Sequence, residues 1–394
     1  MLPGRPRAAR GRAAGDLAPT PVFLLRSNPN WIRLDRRRRW LGLLLTALFG
    51  PLLAEGLLRW MVFSDQAFAE RVGARFRRPE LFVASPFSDD YNKLSWLLQS
   101  REVRARPVLY ADPEIGWLRA EVSADGRHAE EVEVGARRPV LLFGSSFARC
   151  KRVDEPCFEG LLDSSELGSR LKLLNFAVQG YGLDQILLLL RRSLRPHAAQ
   201  GPLVVIAFVV EADLERSTIS FFSRPKPRFV RGGDLFVLQC PDRLEPGEFL
   251  ARHPPAITSY FWRYLLNRSG IALATRQAWE GEDERCRARD GLTEFLLAEL
   301  ARACAGTEHF VLLFHMKRAQ RAEPSAEERA LHERLARAGL AWVDTRATAA
   351  TALARDGRTL EELYDPWDGH PTELGTRIFF EALVRGLRGE RDGG

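Results

Sequence analysis

Continuous runs of apolar residues, each the length of a β-strand, recur along the chain from residue 139 onward. They lie at 140–143, 171–177, 203–210, 310–314 and 341–344. Strands that are apolar at every position are buried on both faces, which is typical of a parallel sheet. Apolar residues at helical spacing predict helices at about 155–166, 183–194, 290–304, 325–338 and 373–387. This alternation predicts an α/β fold with a doubly wound parallel sheet.

A longer apolar run near the N-terminus predicts a transmembrane signal anchor. Residues 40–63 follow four consecutive arginines, Arg36–Arg39. Basic residues before such a segment favour a cytoplasmic N-terminus and an extracytoplasmic body. Glu55 and Arg59 interrupt the run, but they lie four residues apart and can pair on one helix face. The alternatives are a buried or amphipathic helix of a soluble protein, and a signal peptide cleaved near 67–69.

The positive charge of the chain is confined to its first residues. The total formal charge is +7, whereas residues 1–40 carry ten arginines and two aspartates, which is +8 and leaves −1 on residues 41–394. A protein that binds nucleic acid usually has a basic face on a folded domain. We therefore expect no nucleic-acid partner, and a disordered basic tail over 1–39.

The distribution of apolar runs predicts how the chain is organised after the predicted transmembrane segment. Residues 64–138 hold only short apolar runs, so we expect a lead-in region packed on the main domain. The main domain covers 139–388. Residues 214–288 break the strand–helix alternation and contain the aromatic residues Tyr260, Phe261, Trp262 and Tyr264. An insertion after a strand overhangs the carboxyl end of the sheet, where substrates are selected.

Two segments carry candidate chemistry. The run 140–143 is followed by Gly144, Ser145 and Ser146, which presents a serine at the carboxyl end of a strand. Asp368 and His370 lie almost together, just before the last predicted helix. A serine becomes nucleophilic when a histidine takes its proton, and a carboxylate orients that histidine. Taken singly, these residues also suit a helix cap, a turn and a surface histidine.

Cysteine and histidine spacing favours no metal site. The five cysteines form no C-x-x-C pair, and no histidines have H-x-x-x-H spacing with a glutamate. We expect no metal and no organic cofactor. Cys150–Cys157 and Cys286–Cys304 are possible disulfides, and five free thiols are the alternative.

No phosphate-binding loop motif occurs, and the acid and base are too close together in sequence for an α/β-hydrolase with a nucleophile elbow.

Four segments in order resemble the SGNH (GDSL-like) hydrolase superfamily, in its membrane-anchored bacterial form. They are Gly144-Ser145-Ser146-Phe147, the run from Asn175 to Gly182, the run from Phe208 to Leu214, and Asp368-Gly369-His370-Pro371. The resemblance covers about 139–388 and implies a flavodoxin-like sheet. It implies that Ser146 is the nucleophile, His370 the base and Asp368 the orienting acid. It also implies an oxyanion hole formed by the backbone N–H groups of Ser146 and Gly180.

The chain departs from the family pattern at three places. Ser145 stands where the first motif has aspartate, and Ala212 replaces the asparagine that donates to the oxyanion in the third. Loss of one such donor typically costs about 10²–10³ in turnover. The acid usually lies three residues before the histidine, where this chain has Trp367. Asp368 is our first choice, and Asp365 and Asp213 are possible residues lining the site.

These observations predict a serine esterase-like hydrolase that forms an acyl-enzyme on an acylated small molecule or glycan. Acyl transfer to an envelope polysaccharide is the alternative within the same chemistry. A degenerate module that binds without turnover is the alternative outside it.

Overall fold

The computed structural model describes residues 36–64, 71–99, 110–150, 157–240, 245–268, 282–320 and 323–393. Residues 1–35 of the predicted basic tail lie outside the described residues. The strands are β1 Tyr110–Asp112, β2 Gly116–Leu118, β3 Arg138–Gly144, β4 Leu171–Asn175, β5 Leu203–Val209, β6 Arg228–Gly232, β7 Leu235–Gln239, β8 Glu308–Phe314 and β9 Trp342–Asp344.

Helices occur between and beyond these strands, and the last predicted helix, 373–387, is found with the same bounds. They are α1 Arg36–Phe63, α2 Asp89–Leu98, α3 Ser146–Arg149, α4 Phe158–Asp163, α5 Leu183–His197, α6 Val210–Arg216, α7 Pro246–Arg252, α8 Tyr260–Arg268, α9 Glu282–Ala303, α10 Lys317–Gln320, α11 Ala326–Ala338, α12 Thr345–Asp356 and α13 Glu373–Leu387.

The five apolar runs form one sheet in the order β4-β3-β5-β8-β9. Every neighbouring pair in this sheet is parallel. Counted along the chain, the order is 2-1-3-4-5, which is the flavodoxin-like arrangement. The predicted doubly wound α/β fold is confirmed. Because ligands bind beyond the carboxyl ends of such strands, the residues after β3, β4 and β5 define the face on which a site is expected.

Apolar side chains cover both faces of the sheet. One cluster joins Leu141 and Ile206 with Leu187 of α5 and Leu296 of α9. The other cluster joins alternate residues of the same strands with helices such as α13, through Phe379. Since successive residues of a strand point to opposite faces, both faces need apolar residues. The uninterrupted apolar runs are explained by this double burial.

The lead-in segment packs on α5 through a small hairpin. The strands β1 and β2 are antiparallel, with the turn after Asp112. The Asp112 carboxylate accepts hydrogen bonds from Arg192 of α5 at 2.6 and 3.0 Å. Gln185 donates to the carbonyl of Ile115 at 2.7 Å, and the Tyr181 hydroxyl donates to the carbonyl of Trp117. These contacts anchor the hairpin beside the loop that follows β4.

The insertion is tied to the main domain by a buried ion pair. Lys226 and Asp184 are fully buried, and Lys226 Nζ lies 2.6 Å from Asp184 Oδ2. The residues that follow form the antiparallel hairpin β6–β7, whose second strand contains the predicted strand at 235–238. Breaking a buried ion pair by removing one partner is strongly destabilising, so this pair holds the start of the insertion firmly at the N-terminus of α5.

Helix α1 begins at Arg36, earlier than the predicted apolar span. The segment Trp40–Phe63 is long and apolar enough to cross a membrane, with a mean hydropathy of 1.9. Contacts divide the chain into two compact units, Met1–Ala54 and Glu55–Gly394. In the second unit, Leu58 and Val62 of α1 are buried against Phe82. The last turns of this helix therefore form part of the folded body.

The aromatic residues of the insertion pack against this end of α1. Tyr260 contacts the ring of Phe63, with ring centroids 5.1 Å apart. The Glu55 carboxylate accepts hydrogen bonds from Ser259 Oγ and from the backbone N–H groups of Tyr260 and Phe261 at 2.8–3.1 Å. It thereby caps α8. Tyr260 of the insertion thus packs on the end of α1, which offers it an apolar partner.

We predict that Leu58→Ala destabilises the full-length protein, whereas the adjacent Leu57→Ala does not. Leu58 is 5% exposed and Leu57 is 53% exposed. Truncating a buried leucine costs about 2–5 kcal/mol, because apolar contacts are lost and a cavity remains. The measurement is urea denaturation in an uncharged detergent. Equal midpoints for the two variants would show that the end of α1 does not pack on the body.

Candidate active site

The candidate nucleophile sits on a tight turn between β3 and α3. Gly144 ends the strand, and a Cβ at this position would lie 2.6 Å from the carbonyl oxygen of Ala207 on β5. Only glycine permits that approach. Ser145 then takes an extended conformation as the N-cap of α3, and Ser146 is its first residue. The turn thus places Ser146 at the carboxyl end of the sheet.

The two adjacent serines differ in accessibility. Ser145 is 1% exposed, and its hydroxyl lies beside the buried Asp213 carboxyl without hydrogen-bond geometry to any described residue. Ser146 is half-buried. A nucleophile must reach the carbonyl carbon of its substrate, so Ser146 is the better placed of the two.

The candidate acid and base lie on a closed turn. The Asp365 N–H donates to the His370 carbonyl at 2.8 Å, and the Gly369 N–H donates to the Asp365 carbonyl at 2.9 Å. Gly369 has φ +71°, which favours glycine. The backbone bonds bring both ends of the turn together.

Within this turn the two aspartates have different contacts. Asp368 Oδ1 lies 3.2 Å from His370 Nδ1 and accepts the His370 backbone N–H at 3.1 Å. The Nδ1 contact has the distance but not the direction of a hydrogen bond. Such bonds are often misaligned before substrate binds. Asp365 Oδ1 instead accepts the Trp367 N–H at 2.8 Å, which stabilises the turn. The geometry favours Asp368 as the acid.

Aromatic contacts connect this turn to the segment that contains Ser146. The His370 ring packs against the Phe147 ring, with centroids 5.5 Å apart. Phe147 also contacts the Tyr364 ring at 6.4 Å. Since Phe147 directly follows Ser146, these contacts bring the predicted base beside the residue next to the predicted nucleophile.

The loop after β4 supplies candidate oxyanion donors. Asn175 Nδ2 donates to the Ala148 carbonyl at 2.9 Å, which ties this loop to α3. Within the described chain, the backbone N–H groups of Ser146 and Gly180 donate to no acceptor. Phe222 of the insertion fills the space where a side chain at position 180 would lie. Free N–H groups at this edge of the sheet suit a developing negative charge.

Basic side chains surround the same loop, and the sequence did not reveal them. Arg119 of the lead-in donates to the carbonyls of Asn175 and Ala177 at 3.0 and 3.3 Å. Arg149 is half-buried at the end of α3. Burial and the neighbouring Arg119 charge lower the pKa of Arg149. These guanidinium groups bring positive charge to this side of the site, where Arg119 also lies 3.2 Å from the Glu121 carboxylate.

The third motif is buried rather than open. Ala212 packs in the apolar cluster that contains Phe147. The Asp213 carboxylate accepts hydrogen bonds from the Val209 N–H at 2.8 Å and from Arg216 at 2.5 Å. Burial raises the pKa of Asp213. The structure thus places Asp213, a predicted lining residue, in a structural role beneath Ser145.

A second histidine, which no sequence motif indicated, lies at the carboxyl end of β8. His315 is fully buried, and its ring nitrogens lie 3.0 Å from Glu211, 3.3 Å from Glu328 and 3.1 Å from Asp344. Burial alone would lower the pKa of His315, but hydrogen bonds to the three carboxylates raise it to about 10. The ring is an imidazolium, so it cannot act as a base. It joins the ends of β5, β8 and β9.

This buried network also meets the distance requirement for a metal site, with donor atoms of Glu211, His315 and Glu328 close together. Its charges do not fit one. Arg346 pairs with Glu328 and lies 3.0 Å from His315 Nδ1. The carboxylates are already paired with a protonated histidine and a guanidinium, and a protonated imidazole offers no lone pair to a metal.

One of the two possible disulfides is present. Cys150 and Cys157 are joined, with Cα atoms 5.6 Å apart. This bond closes the loop that follows α3. Cys304 is a buried free thiol, so the pairing of Cys286 with Cys304 is wrong. The Cys286 side chain lies outside the described residues.

No family model matches this chain, and no curated protein is similar to it in sequence. Several solved structures are similar. A lipase/acylhydrolase from Enterococcus faecalis has 14% identity and a TM-score of 0.36, over 65% of this chain and 98% of its own. A variant of an acetyl xylan esterase from Geobacillus stearothermophilus has 17% identity and a TM-score of 0.32, over 64% and 95%.

Both are named for ester hydrolysis. The strand order of this chain is that of a flavodoxin-like sheet, which is the one that the motif resemblance implies.

We predict that the His315 network makes stability fall at alkaline pH. The folded pKa of about 10 lies above the ordinary value of 6.5. The folded state therefore holds a proton that the unfolded state releases, and stability declines between pH 6.5 and 10. His315→Gln should lower the melting temperature at pH 7 and flatten this decline.

The control is His309→Gln, because His309 lies on β8, which His315 follows, and its ring bonds only the Thr307 carbonyl among the described residues. Melting curves from pH 6 to 10 provide the measurement. An identical pH slope in wild type and His315→Gln would contradict the assigned charge.

Proposed function

We propose that the chain is a serine esterase that hydrolyses carboxylic esters through an acyl-enzyme. The observation that carries this proposal is the meeting of two segments at the carboxyl end of the sheet. The accessible Ser146 starts α3, and the His370 ring contacts the next residue, Phe147. Asp368 lies at the Nδ1 side of His370. These residue types in this arrangement suit nucleophilic catalysis.

The proposed reaction has two steps. Ser146 Oγ attacks the carbonyl carbon while His370 Nε2 takes its proton, and the oxyanion is held by the N–H groups of Ser146 and Gly180. The intermediate collapses, and the departing alkoxide takes the proton from His370 and leaves as the alcohol. Water then attacks the acyl-enzyme with His370 again as base, which releases the carboxylic acid and restores Ser146. Asp368 orients the imidazole throughout.

An acylated glycan is the substrate class that we favour. Trp367 lies between Asp365 and Asp368, and its side chain is 93% exposed on the closed turn. A large aromatic side chain held in water beside the base offers an apolar face to a sugar ring. The same feature supports acyl transfer to a polysaccharide, in which a sugar hydroxyl replaces water as the acceptor.

A binding module without turnover is a second candidate, and Ala212 is the observation that favours it. The alanine side chain is packed among apolar residues and donates no hydrogen bond. Without that donor the oxyanion would rely on backbone N–H groups alone. A module of this kind would bind the glycan but would not react with a serine-directed probe.

The body is proposed to lie on the extracytoplasmic side of the membrane. The arginines at the start of α1 and the apolar segment that follows support this orientation. The disulfide between Cys150 and Cys157 supports it independently, because such bonds persist in oxidising compartments.

The nucleophile is tested by covalent labelling. We expect a fluorophosphonate to label wild type at one serine, and Ser146→Ala to abolish labelling and esterase activity. The adjacent Ser145→Ala is the matched control and should still be labelled, because Ser145 is buried. Labelling that is lost in Ser145→Ala and kept in Ser146→Ala would reassign the nucleophile. An unlabelled, folded wild type would favour the binding module.

The acid is tested by comparing two isosteric variants. Asp368→Asn should lower kcat by several orders of magnitude, because it removes the charge beside His370 Nδ1. Asp365→Asn should cost about tenfold or less, ~1.4 kcal/mol in the barrier, because its oxygen can still accept the Trp367 N–H. Steady-state kinetics on one aryl ester, with melting curves, provide the measurement. The reverse ranking would transfer the role to Asp365.

A further inference from the structure

A cavity that opens to solvent lies apart from the candidate catalytic residues. It has a volume of about 340 Å³ and is lined by α2, by the chain around Ser220, by the ends of β6 and β7, and by α7. None of Ser146, Gly180, Asp368 or His370 lines it. The proposed esterase reaction makes no use of this cavity.

Cationic side chains dominate its walls. Lys93, Lys226 and Arg228 line the cavity with His253, and Asp89 is the acidic residue among them. Asp89 is already engaged, since its carboxylate accepts hydrogen bonds from the Ser220 N–H and Oγ at 2.7 and 2.8 Å. Its distance to the nearest Arg228 nitrogen is 3.9 Å. The lining therefore has an excess of positive charge.

Lys93 is the most informative of these residues. It is 9% exposed, and within the described chain its ammonium group has no hydrogen-bond acceptor and no carboxylate partner. Its Nζ is not among the buried atoms that lack a partner, so the aliphatic part is buried while the ammonium group reaches the cavity. A cation placed in a cavity without a protein partner points to a ligand that supplies the missing charge.

The neighbouring Lys226 is already satisfied by the protein. Its Nζ donates to Asp184 Oδ2 at 2.6 Å and to the carbonyls of Arg216 and Ile219 at 2.9 and 3.4 Å. These three contacts use all three N–H donors of the ammonium group. Lys93 and Arg228 are therefore the cations that can bind an anion in the cavity.

We propose that this cavity binds a phosphate group, as the free anion or as part of a phosphoester. The Lys93 ammonium and the Arg228 guanidinium line a space large enough for a small molecule, and a phosphate offers several acceptor oxygens and up to two negative charges. A lipid headgroup is one source, because α2 also places Leu94 in the apolar cluster with Leu58 of α1. A free phosphate metabolite is the other source. The site does not depend on the proposed esterase activity.

The test uses the full-length protein in dodecyl maltoside. The probes are inorganic phosphate, dihexanoyl phosphatidic acid and, for comparison, dihexanoyl phosphatidylcholine, all at constant ionic strength set with chloride. We expect inorganic phosphate to raise the melting temperature to a plateau, and calorimetric titration to give the Kd. Lys93→Met should weaken binding about tenfold or more, as expected when a hydrogen bond to a charged group is lost.

The matched control is Arg231→Gln, which removes one charge from the same hairpin at an exposed position outside the cavity lining. It should leave the Kd unchanged. If Lys93→Met does not fold by circular dichroism, Arg228→Gln takes its place, since Arg228 is less buried.

The outcomes distinguish a free phosphate from a lipid headgroup, and they distinguish both from failure of the proposal. Binding of both phosphate and phosphatidic acid that depends on Lys93 or Arg228 supports a general phosphate site. Binding of phosphatidic acid alone, with the same dependence, supports a lipid headgroup. No binding of either probe overturns the proposal, and so does binding that is unaffected by Lys93→Met and Arg228→Gln. Ser146→Ala should bind as wild type does, which keeps this test separate from catalysis.

Discussion

The close approach of β3 to β5 at Gly144 is the constraint on which the candidate site depends. A side chain at this position would meet the carbonyl oxygen of Ala207 at 2.6 Å and Ala148 Cβ at 2.8 Å. The glycine lets the chain leave the sheet sharply, so that Ser145 turns inward and Ser146 begins a helix in the accessible position. The Val178 N–H then bonds to the Gly144 carbonyl at 3.0 Å, which brings the oxyanion loop to the same turn.

Buried charged side chains connect the ends of the other strands near this turn. His315 is contacted by carboxylates from three elements, and Arg346 completes the network by pairing with Glu328. Lys226 and Asp184 join the insertion to α5 in the same way. Such groups add little net stability over apolar side chains, but leaving one of them unpaired is costly. They therefore specify one arrangement of the loops around the site. Lys93 has no such partner among the described residues, and its ammonium group reaches a cavity instead.

Residues from the lead-in and the insertion complete the surroundings of the site. Arg119 of the lead-in holds the loop after β4 by its carbonyls, and Phe222 of the insertion packs on Gly180. Tyr260 of the insertion lies against the end of α1, where Glu55 caps α8. The same interaction makes the last turns of α1 part of the folded body.

The sequence by itself determined the sheet strands, their parallel arrangement and the helix at 373–387, because burial on one or both faces is encoded in the local spacing of apolar residues. It also predicted the serine, the acid and the histidine by motif order, and the Cys150–Cys157 pair as one of two possibilities. Only the tertiary structure buried Ser145 while leaving Ser146 accessible, and paired His315 with carboxylates distant in sequence. It also closed the turn between Asp365 and His370, and left Lys93 facing a cavity. Such contacts depend on which strands become neighbours, and no local pattern of residues records the strand order.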